Sequence, residues 1–467
     1  MAVPGTIAVL DVGKSNVKLS ACDADGHVLE TLTTPNPVLD GPHWRYHDLP
    51  SLNRWVFAGL RDLGSRHPLG HFVASGHGSG GVLVGDDPDF GGDGTVLPMI
   101  DYEQPLPDGL AEAYEPICGD FLDRGSAVMM AATHTARQMF WAQRARPADV
   151  ARARWCLGIP QYWAWRLSGT AVSEATILGA QSHLWNVAHA RWSPIVEKMG
   201  WGRLMPPFAP AHADLGPVRS ALVEQGVPAM RVHAGVHDSS ANFHRYKAAG
   251  LSGLCVISTG TWIVALADRL DISRLDERRG MTCNADVGGA PVGGALTMGG
   301  REYSAVAKGS PRIPADAGIL ARLVAQGTMT LPTFGTNDGQ FPGTAGRGRI
   351  VGPAPQTEAE RHALAVLYVA LLTVECGNRL DPDRPWVLDG TFLRDPAFAA
   401  LVAAIRPGRL TQVNAEGYGI AAGAAALCHP DRVMPPPTLT IPEPIRGLPD
   451  LGAYAQRWRA LAEEMTQ

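Results

Sequence analysis

One stretch, "IAVLDVGKSNVKLS" (Ile7–Ser20), constrains the fold more than any other. Ile7–Leu10 is an unbroken aliphatic run of the kind that forms a buried strand. Asp11 stands at its end. A tight turn over Gly13–Asn16 follows, and Val17, Leu19 and Ala21 then alternate with Lys18 and Ser20, which predicts a second strand. The "GKS" inside this stretch is not a phosphate-binding P-loop. That loop needs a glycine five residues before Gly13, where this chain has Ala8 in mid-strand. The element is therefore a β-hairpin with an acid at the end of its first strand. "LCVISTGTWIVALAD" (Leu254–Asp268) repeats the design. Superposing Gly13 on Gly260 sets Val17 on Val264 and Leu19 on Leu266. Two copies half a chain apart predict two related α/β domains, with a polyphosphate held between the hairpins.

Composition narrows the function classes. The chain has 467 residues, 45% hydrophobic and 18% charged, with a net charge of −5. Those values suit a globular protein of two or three domains and give no basic excess for nucleic acid. No apolar run reaches the ~18 residues that span a bilayer, and no secretory leader is evident. The seven cysteines form no Cys-x-x-Cys and sit in apolar surroundings such as "GLCVIS". They read as reduced, buried thiols, from which a cytoplasmic location is expected.

Further along, "GHGSGG" (Gly76–Gly81) matches Gly-x-Gly-x-x-Gly, with Asp101 at a distance that suits a ribose acid. A strand and a Gly/Asp-rich turn follow it, whereas a dinucleotide fingerprint must open a helix. It reads as strand, loop, strand, its glycines allowing close backbone approach to a ligand. Ser126–Gln143 has helical spacing, and Gly158–Leu167 predicts an aromatic helix stopped by Ser168-Gly169. Met230–His237 reads as a strand that delivers Asp238 to a helix start, where an acid can also simply cap. In the second half a long amphipathic helix (Thr357–Leu380), a strand (Pro385–Gly390), a helix from Pro396, a strand "RLTQVN" and a small-residue helix "EGYGIAAGAAAL" are expected. That last helix is suited to pack on a sheet or a nucleotide. "GTNDGQFPGTAGRG" (Gly335–Gly348) and "VGPAPQ" read as exposed loops.

Taken in order, "DVGKSNVKLS", "PMIDYE", "GIPQYWAWRLSGTAVSEATILGAQSHLWN", "AGVHDSSAN", "ISTGTW", "TMGG", "LDGTFLRDPAF" and "GYGIAAGAAAL" span nearly the whole chain. The set resembles the FGGY family of carbohydrate kinases, within the actin/hexokinase/Hsp70 ATPase superfamily, and looks most like its rhamnulose/fuculose kinase side. The resemblance implies an α/β fold of two RNase-H-like domains with an interdomain cleft. Residues 1–246 would be the sugar-binding domain and 247–467 the ATP-binding domain. It implies ATP-dependent phosphorylation of a ketose or deoxyketose, Mg²⁺ as cofactor, a monomer or homodimer, and no nucleic-acid or membrane partner.

Residue by residue, Asp238 matches the family's catalytic base, and Asp11 the acid that holds Mg²⁺ through water, with Asp238 close to the same ion. Gly13, Lys14 and Ser15 would face the γ-phosphate; Lys18 either reaches it or is a solvated strand charge. Gly260 and Thr261 match the β- and γ-phosphate contacts, Gly299 a ribose- or adenine-side glycine, and Gly390, Thr391 and Asp395 the adenosine loop. His77, Gly78, Asp101, Tyr102, Glu103, Gln161 and Trp262 are the sugar candidates, with Asp238 beside them. Tyr102 and Trp262 are equally core residues by type, and Glu103 a solvated loop charge. Three departures stand out. Lys14 replaces a small residue, Thr391 and Asp395 replace a Gly and an Asn, and the sugar loop lacks the Arg-Glu pair of glycerol kinases. The last disfavours glycerol. A non-catalytic sugar- or nucleotide-binding regulator of the same superfamily is the alternative.

Overall fold

A computed structural model describes residues 5–309, 314–414, 416–448 and 450–466. The chain forms two compact units. Unit 1 comprises residues up to Leu251 together with Cys283–Pro291 and Tyr418–Pro436; unit 2 comprises Ser252–Thr282, Val292–Gly417 and the residues from Pro437 on. A single cut after residue 246 misses the two later returns to unit 1.

Unit 1 is built on a seven-stranded sheet. Its strands are β1 (Thr6–Val12), β2 (Asn16–Cys22), β3 (Val28–Pro35), β4 (Leu69–Gly76), β5 (Asp214–Pro217), β6 (Arg231–His233) and β7 (Val236–His237). The order is β5-β6-β4-β1-β2-β3, with β7 also on β4. β1 pairs antiparallel with β2 and parallel with β4, and β6 and β7 both run parallel to β4. The predicted single strand Met230–His237 is thus two short ones. Gly235, at φ +88°, breaks it, and a Cβ there would lie 2.6 Å from the Ala74 carbonyl oxygen.

β1 is covered on both faces, and the two-residue period of a strand decides which side chain goes where. Ala8, Leu10 and Val12 join a core with α1 (Leu49–Arg66) and, beyond α2 (Thr135–Ala145), with α3 (Ile159–Ser168). Ile7 and Val9 face the other way, onto Ala241 of α4 (Asp238–Ala248). The tryptophans of α3 are core, as their helical spacing suggests, and Gly169 at φ +80° ends that helix. α2 is shorter than its pattern predicts. Residues 126–134 are irregular because His134 Nε2 takes the Met129 N–H and the Arg137 guanidinium takes the Met129 and Met130 carbonyls. Those side chains satisfy backbone groups that a helix would otherwise have used.

In unit 2, β8 (Cys255–Thr259), β9 (Ile263–Ala267), β10 (Pro291–Thr297), β11 (Trp386–Gly390) and β12 (Thr411–Asn414) lie in the order β10-β9-β8-β11-β12. β8 and β9 are antiparallel, while β8, β11 and β12 are parallel. This repeats β3-β2-β1-β4-β6 in order and direction, so the duplication is real and each sheet is RNase-H-like. The equivalence of the hairpins differs by one residue from the sequence alignment. Val12 pairs with Val17 across four turn residues, but Thr259 pairs with Ile263 across three. Val17 therefore corresponds to Ile263, and Leu19 to Ala265.

Helices α5 (Gly299–Ala307), α6 (Glu358–Leu380) and α7 (Pro396–Ile405) pack in unit 2, with further helices at Ala317–Ala325 and Leu451–Glu464. A full capping box, Thr357 with Glu360, starts α6. Contrary to the sequence reading, α6 is long and apolar enough to cross a membrane. However, 89% of its apolar window is buried, and it is the core helix of this unit. Gly377 lets it rest on the Trp386 indole, 2.3 Å from where a Cβ would be. The loop Gly335–Gly348 is not simply exposed. Gln340, Phe341 and Thr344 are buried, with Phe341 edge-on to Trp458. The 351–356 stretch is largely exposed, as expected.

The small-residue helix α8 (Gly419–Ala426) belongs to unit 1, where its alanines pack with Ala241 of α4 and with β1 rather than on a nucleotide. A Cβ on Gly423 would fall 1.8 Å from the Ala241 carbonyl oxygen. Gly→Ala inside a helix ordinarily stabilises by about 1 kcal/mol. Here the added methyl must push two helices apart, so Gly423→Ala lowers stability by about 1–3 kcal/mol. Urea unfolding of wild type and variant measures this; a rise in midpoint contradicts the α4–α8 contact.

Candidate active site

The site in unit 1 grows from the C-terminal ends of three parallel strands. In the register, Asp11 of β1 lies beside Ser75 of β4, which lies beside Val236 of β7. One residue on, Val12, Gly76 and His237 form the next row. Asp238 follows at once as the first residue of α4. Asp11 shares its sheet face with Ile7 and Val9, the face on which α4 packs, so the two carboxylates approach each other. The charge of Asp238 is felt at Asp11. Burial first, then Asp238, push the Asp11 carboxyl up to about 6, against the pull of Lys18, its cross-strand partner. Two repelling carboxylates with oxygen-only ligation fit a hard divalent cation such as Mg²⁺, whose charge would relieve the repulsion.

Asp238 is held in place rather than being a cap. His237 is the N-cap residue, and its Nε2 lies 3.1 Å from Asp238 Oδ1. The Ser239 N–H donates to that same oxygen at 2.5 Å. The His237 N–H in turn donates to Thr176 Oγ1, whose hydroxyl donates to Glu174. Glu174 is fully buried; burial raises its carboxyl to about 7, opposed by its bonds from Thr176 and the Ile177 N–H.

Beside these acids lies a second group. Asn36 braces the Gly13–Asn16 turn, donating its amide to the Gly13 carbonyl and its backbone N–H to that of Ser15. Its Oδ1 must then accept, and what it accepts is His47 Nδ1–H at 3.1 Å. That fixes the tautomer and leaves His47 Nε2 a bare lone pair, buried and without a hydrogen-bond partner. His77 is buried with both ring nitrogens unpartnered, and Ser75 Oγ and Gln161 Oε1 are likewise unpartnered. His77 lies edge-on to Tyr102 at 5.2 Å and 6.2 Å from His47. Burial, then His47, Lys14 and His237, hold it neutral, well below the usual imidazole range. Buried polar atoms are rarely left unbonded, so these four side chains hold hydrogen-bonding capacity that no described protein group uses.

The Lys14 ammonium lies over the Tyr102 ring at 4.9 Å and is ion-paired with buried Asp101, which also meets Arg45 at 3.1 Å. Lys14 therefore engages the sugar candidates Asp101 and Tyr102, with Glu103 4.0 Å away, rather than standing free for a phosphate. Lys18 is exposed on β2, next to Asp11, and Ser15 is exposed in the turn. Gly78 has a packing reason. A Cβ there would lie 2.3 Å from the Ala180 carbonyl oxygen, so the loop glycine approaches protein rather than ligand.

In unit 2 the other candidates gather at the second hairpin. The turn Gly260-Thr261-Trp262 is closed by Gly260 N–H on the Trp262 carbonyl. The Gly300 N–H at the start of α5 reaches the Thr261 carbonyl, and Gly299 sits against Ile263. Gly390, at φ +100°, ends β11 so close to Thr259 that a Cβ would lie 2.1 Å from its carbonyl oxygen. Thr391 Oγ1 donates to that carbonyl. Gly390, Thr261 and Thr391 are exposed, forming a glycine-rich collar open to a phosphate. Two candidates fall outside these groupings. Asp395 caps α7 through the Ala397 N–H and holds His362 and the Ala315 N–H, so its oxygens are committed to packing. Trp262 lies in unit 2, apart in the chain and in unit from the other sugar candidates.

Residues 252–436 match the model of the carbohydrate kinase FGGY C-terminal domain. That stretch, in the second half of the chain, makes the chain similar to the FGGY carbohydrate kinases. It is 27% identical over 298 residues to an L-fuculokinase of Salmonella typhi and 26% identical over 295 residues to that of Escherichia coli (strain K12). Both matches span 60% of this chain and 60% of the relative. Among solved structures, a carbohydrate kinase from Novosphingobium aromaticivorans superposes with a TM-score of 0.83 at 29% identity, covering 99% of both chains. A xylulose kinase from Lactobacillus acidophilus, at 16% identity and a TM-score of 0.79 over 98% of this chain and 97% of its own, shares the fold.

Sequence reasoning missed Asn36, Ser75, His47, His237 and Glu174. His47 lies in a two-residue strand with no periodicity to flag it, while His237 was readable as the neighbour of Asp238.

Glu174 yields a pH prediction. Its folded value of about 7 exceeds the ordinary 4.5. The folded chain keeps a proton the unfolded chain loses, so this group's contribution is fully present below about pH 4.5. It is lost as pH rises through about 7, a change of about 3 kcal/mol. Between pH 5 and 7, Glu174→Gln flattens the fall of unfolding free energy by up to about 1.4 kcal/mol per pH unit. Parallel urea curves for the two proteins read it directly; identical slopes contradict a protonated Glu174.

Proposed function

We propose that this chain is an ATP-dependent sugar kinase of the FGGY family that phosphorylates a hydroxyl of a ketose or deoxyketose of the L-fuculose/L-rhamnulose kind. The observation that carries the reading is the cluster of unpartnered buried acceptors, His47 Nε2, His77, Ser75 Oγ and Gln161 Oε1, beside the Asp11–Asp238 pair. A polyhydroxylated molecule supplies several O–H donors at once and satisfies such a set. Tyr102 adds an apolar platform.

In the reaction, Asp238 takes the proton of the acceptor hydroxyl as its oxygen bonds to the γ-phosphorus and the bond to ADP breaks. Its neighbours His237 and Ser239 orient the carboxylate toward that proton. Asp11 would hold Mg²⁺, which would supply charge neutralisation on the phosphates. Gly260, Thr261, Gly299, Gly390 and Thr391 line the nucleotide, the glycines admitting phosphate oxygens close to the chain and the exposed Thr261 offering its hydroxyl. Lys14 positions Asp101 and Tyr102 for the acceptor. The seven cysteines, all buried and none in a disulfide, fit a reducing compartment.

Asp238→Asn lowers ADP release by about 10²–10⁴-fold with L-fuculose- and L-rhamnulose-derived ketoses, L-ribulose and D-xylulose as the panel. The variant still shows a thermal shift with ketose and with Mg·ATP. A variant that turns over at the wild-type rate removes Asp238 from the chemistry, and silence of the wild type across the panel removes the ketose class. Lys14→Met separates two roles. It raises KM for the ketose several-fold and leaves KM for ATP unchanged; the reverse pattern assigns the ammonium to phosphate.

A further inference from the structure

A second metal site, unrelated to the phosphoryl chemistry, lies lower in unit 1. We propose that His71, His233 and Cys428 bind one Zn²⁺ ion that clips the returning segment 418–436 to the central sheet. His71 Nδ1 or Nε2, a ring nitrogen of His233 and Cys428 Sγ all lie within 4.8 Å of one another, and all three residues are buried.

Tautomer reasoning supports the assignment. His233 Nδ1 lies 3.0 Å from the His212 carbonyl oxygen, which only accepts, so Nδ1 carries the hydrogen. His233 Nε2 then accepts the His71 Nδ1–H at 3.0 Å, a proton that Zn²⁺ binding would shift to His71 Nε2. An imidazole fixed by a backbone carbonyl behind it is the arrangement metal-bound histidines use. Two nitrogens on one tetrahedral Zn²⁺, at about 2.0–2.1 Å each, stand about 3.3 Å apart, close to the spacing here. His429 lies 5.0 Å edge-on to His71, outside this three-residue set. Thiolate with imidazole selects Zn²⁺ over Mg²⁺, whereas the Asp11–Asp238 pair has the opposite preference.

The position gives the ion a purpose. His71 pairs with Ile7 and Arg231 near the start of β4, five residues and roughly 17 Å before the active-site end at Gly76. Cys428 and His429 follow directly after α8, where the chain has come back to unit 1 from unit 2. Binding expels the Cys428 thiol proton to solvent and closes a chain loop of several hundred residues, so its free energy adds to folding. The other compact set of candidate ligands among the described residues, Asp23, Asp25 and His27, is surface-exposed and explained by its turn: the Asp25 and His27 N–H groups donate to Asp23.

The test uses the full chain, stripped with a chelator, returned to chelator-free buffer containing excess Mg²⁺, and titrated with Co²⁺ and then Zn²⁺. One Co²⁺ per chain should bind, with a sulfur-to-cobalt charge-transfer absorption that one equivalent of Zn²⁺ bleaches while raising the melting temperature. Cys428→Ser should abolish that absorption, and His233→Gln should weaken Zn²⁺ binding about 10-fold or more. His27→Ala should change neither. Absence of saturable one-equivalent binding in the wild type overturns the proposal without recourse to any variant, as does an absorption that survives Cys428→Ser. A His71–His233 hydrogen bond with no ion would produce the first of those results.

Discussion

A strand buried on both faces has nowhere along its length to put a charge. That constraint on β1 organises unit 1. Ala8, Leu10 and Val12 are committed to one core, Ile7 and Val9 to the other, and both are covered by helices. The first residue that can be ionised is the one where the strand runs out, Asp11. β4 and β7 run parallel to β1, so their ends are level with it. Parallel pairing therefore delivers Asp11, Ser75, His237 and Asp238 to one edge. The same logic repeats in unit 2, where β8 and β11 end together at Thr259 and Gly390.

The two edges are chemically different because their turns differ. The first turn is longer by one residue and is braced by Asn36 and His47; it presents side chains. The second is closed by its own backbone and flanked by Gly299, Gly300 and Gly390; it presents few side chains and close-lying backbone. One supersecondary unit, used twice, thus gives two chemically different rims.

Burial explains the electrostatics around the acids. Asp11 is lifted because it shares a partly desolvated place with Asp238, and Glu174 because it shares one with nothing charged. The first situation invites a cation. The second keeps a proton on a structural carboxyl, and the Glu174–Thr176–His237 chain transmits that rigidity to the residue before the catalytic candidate.

Much of this was legible in the sequence because it depends on local pattern. The hairpins, the aromatic helix ending at Gly169, the long helix with its Thr357 cap and the strand ends carrying Asp11 and Asp238 all follow from apolar periodicity, turn residues and caps. The irregular 126–134 stretch was misread because helical spacing does not record that Arg137 and His134 take the backbone groups. That Asp395 also caps α7 and holds His362 was not legible, because a motif position does not reveal three hydrogen-bond partners. Periodicity by itself determined which segments are strands and helices and where each charge must fall along them, since these are set by neighbours in the chain. Tertiary structure alone decided that Lys14 meets Asp101, that His47 keeps a free lone pair, and that Cys428 returns to His71. Lys14 and Asp101, like Cys428 and His71, are separated by tens to hundreds of residues, and only the packing of whole sheets and helices brings them together.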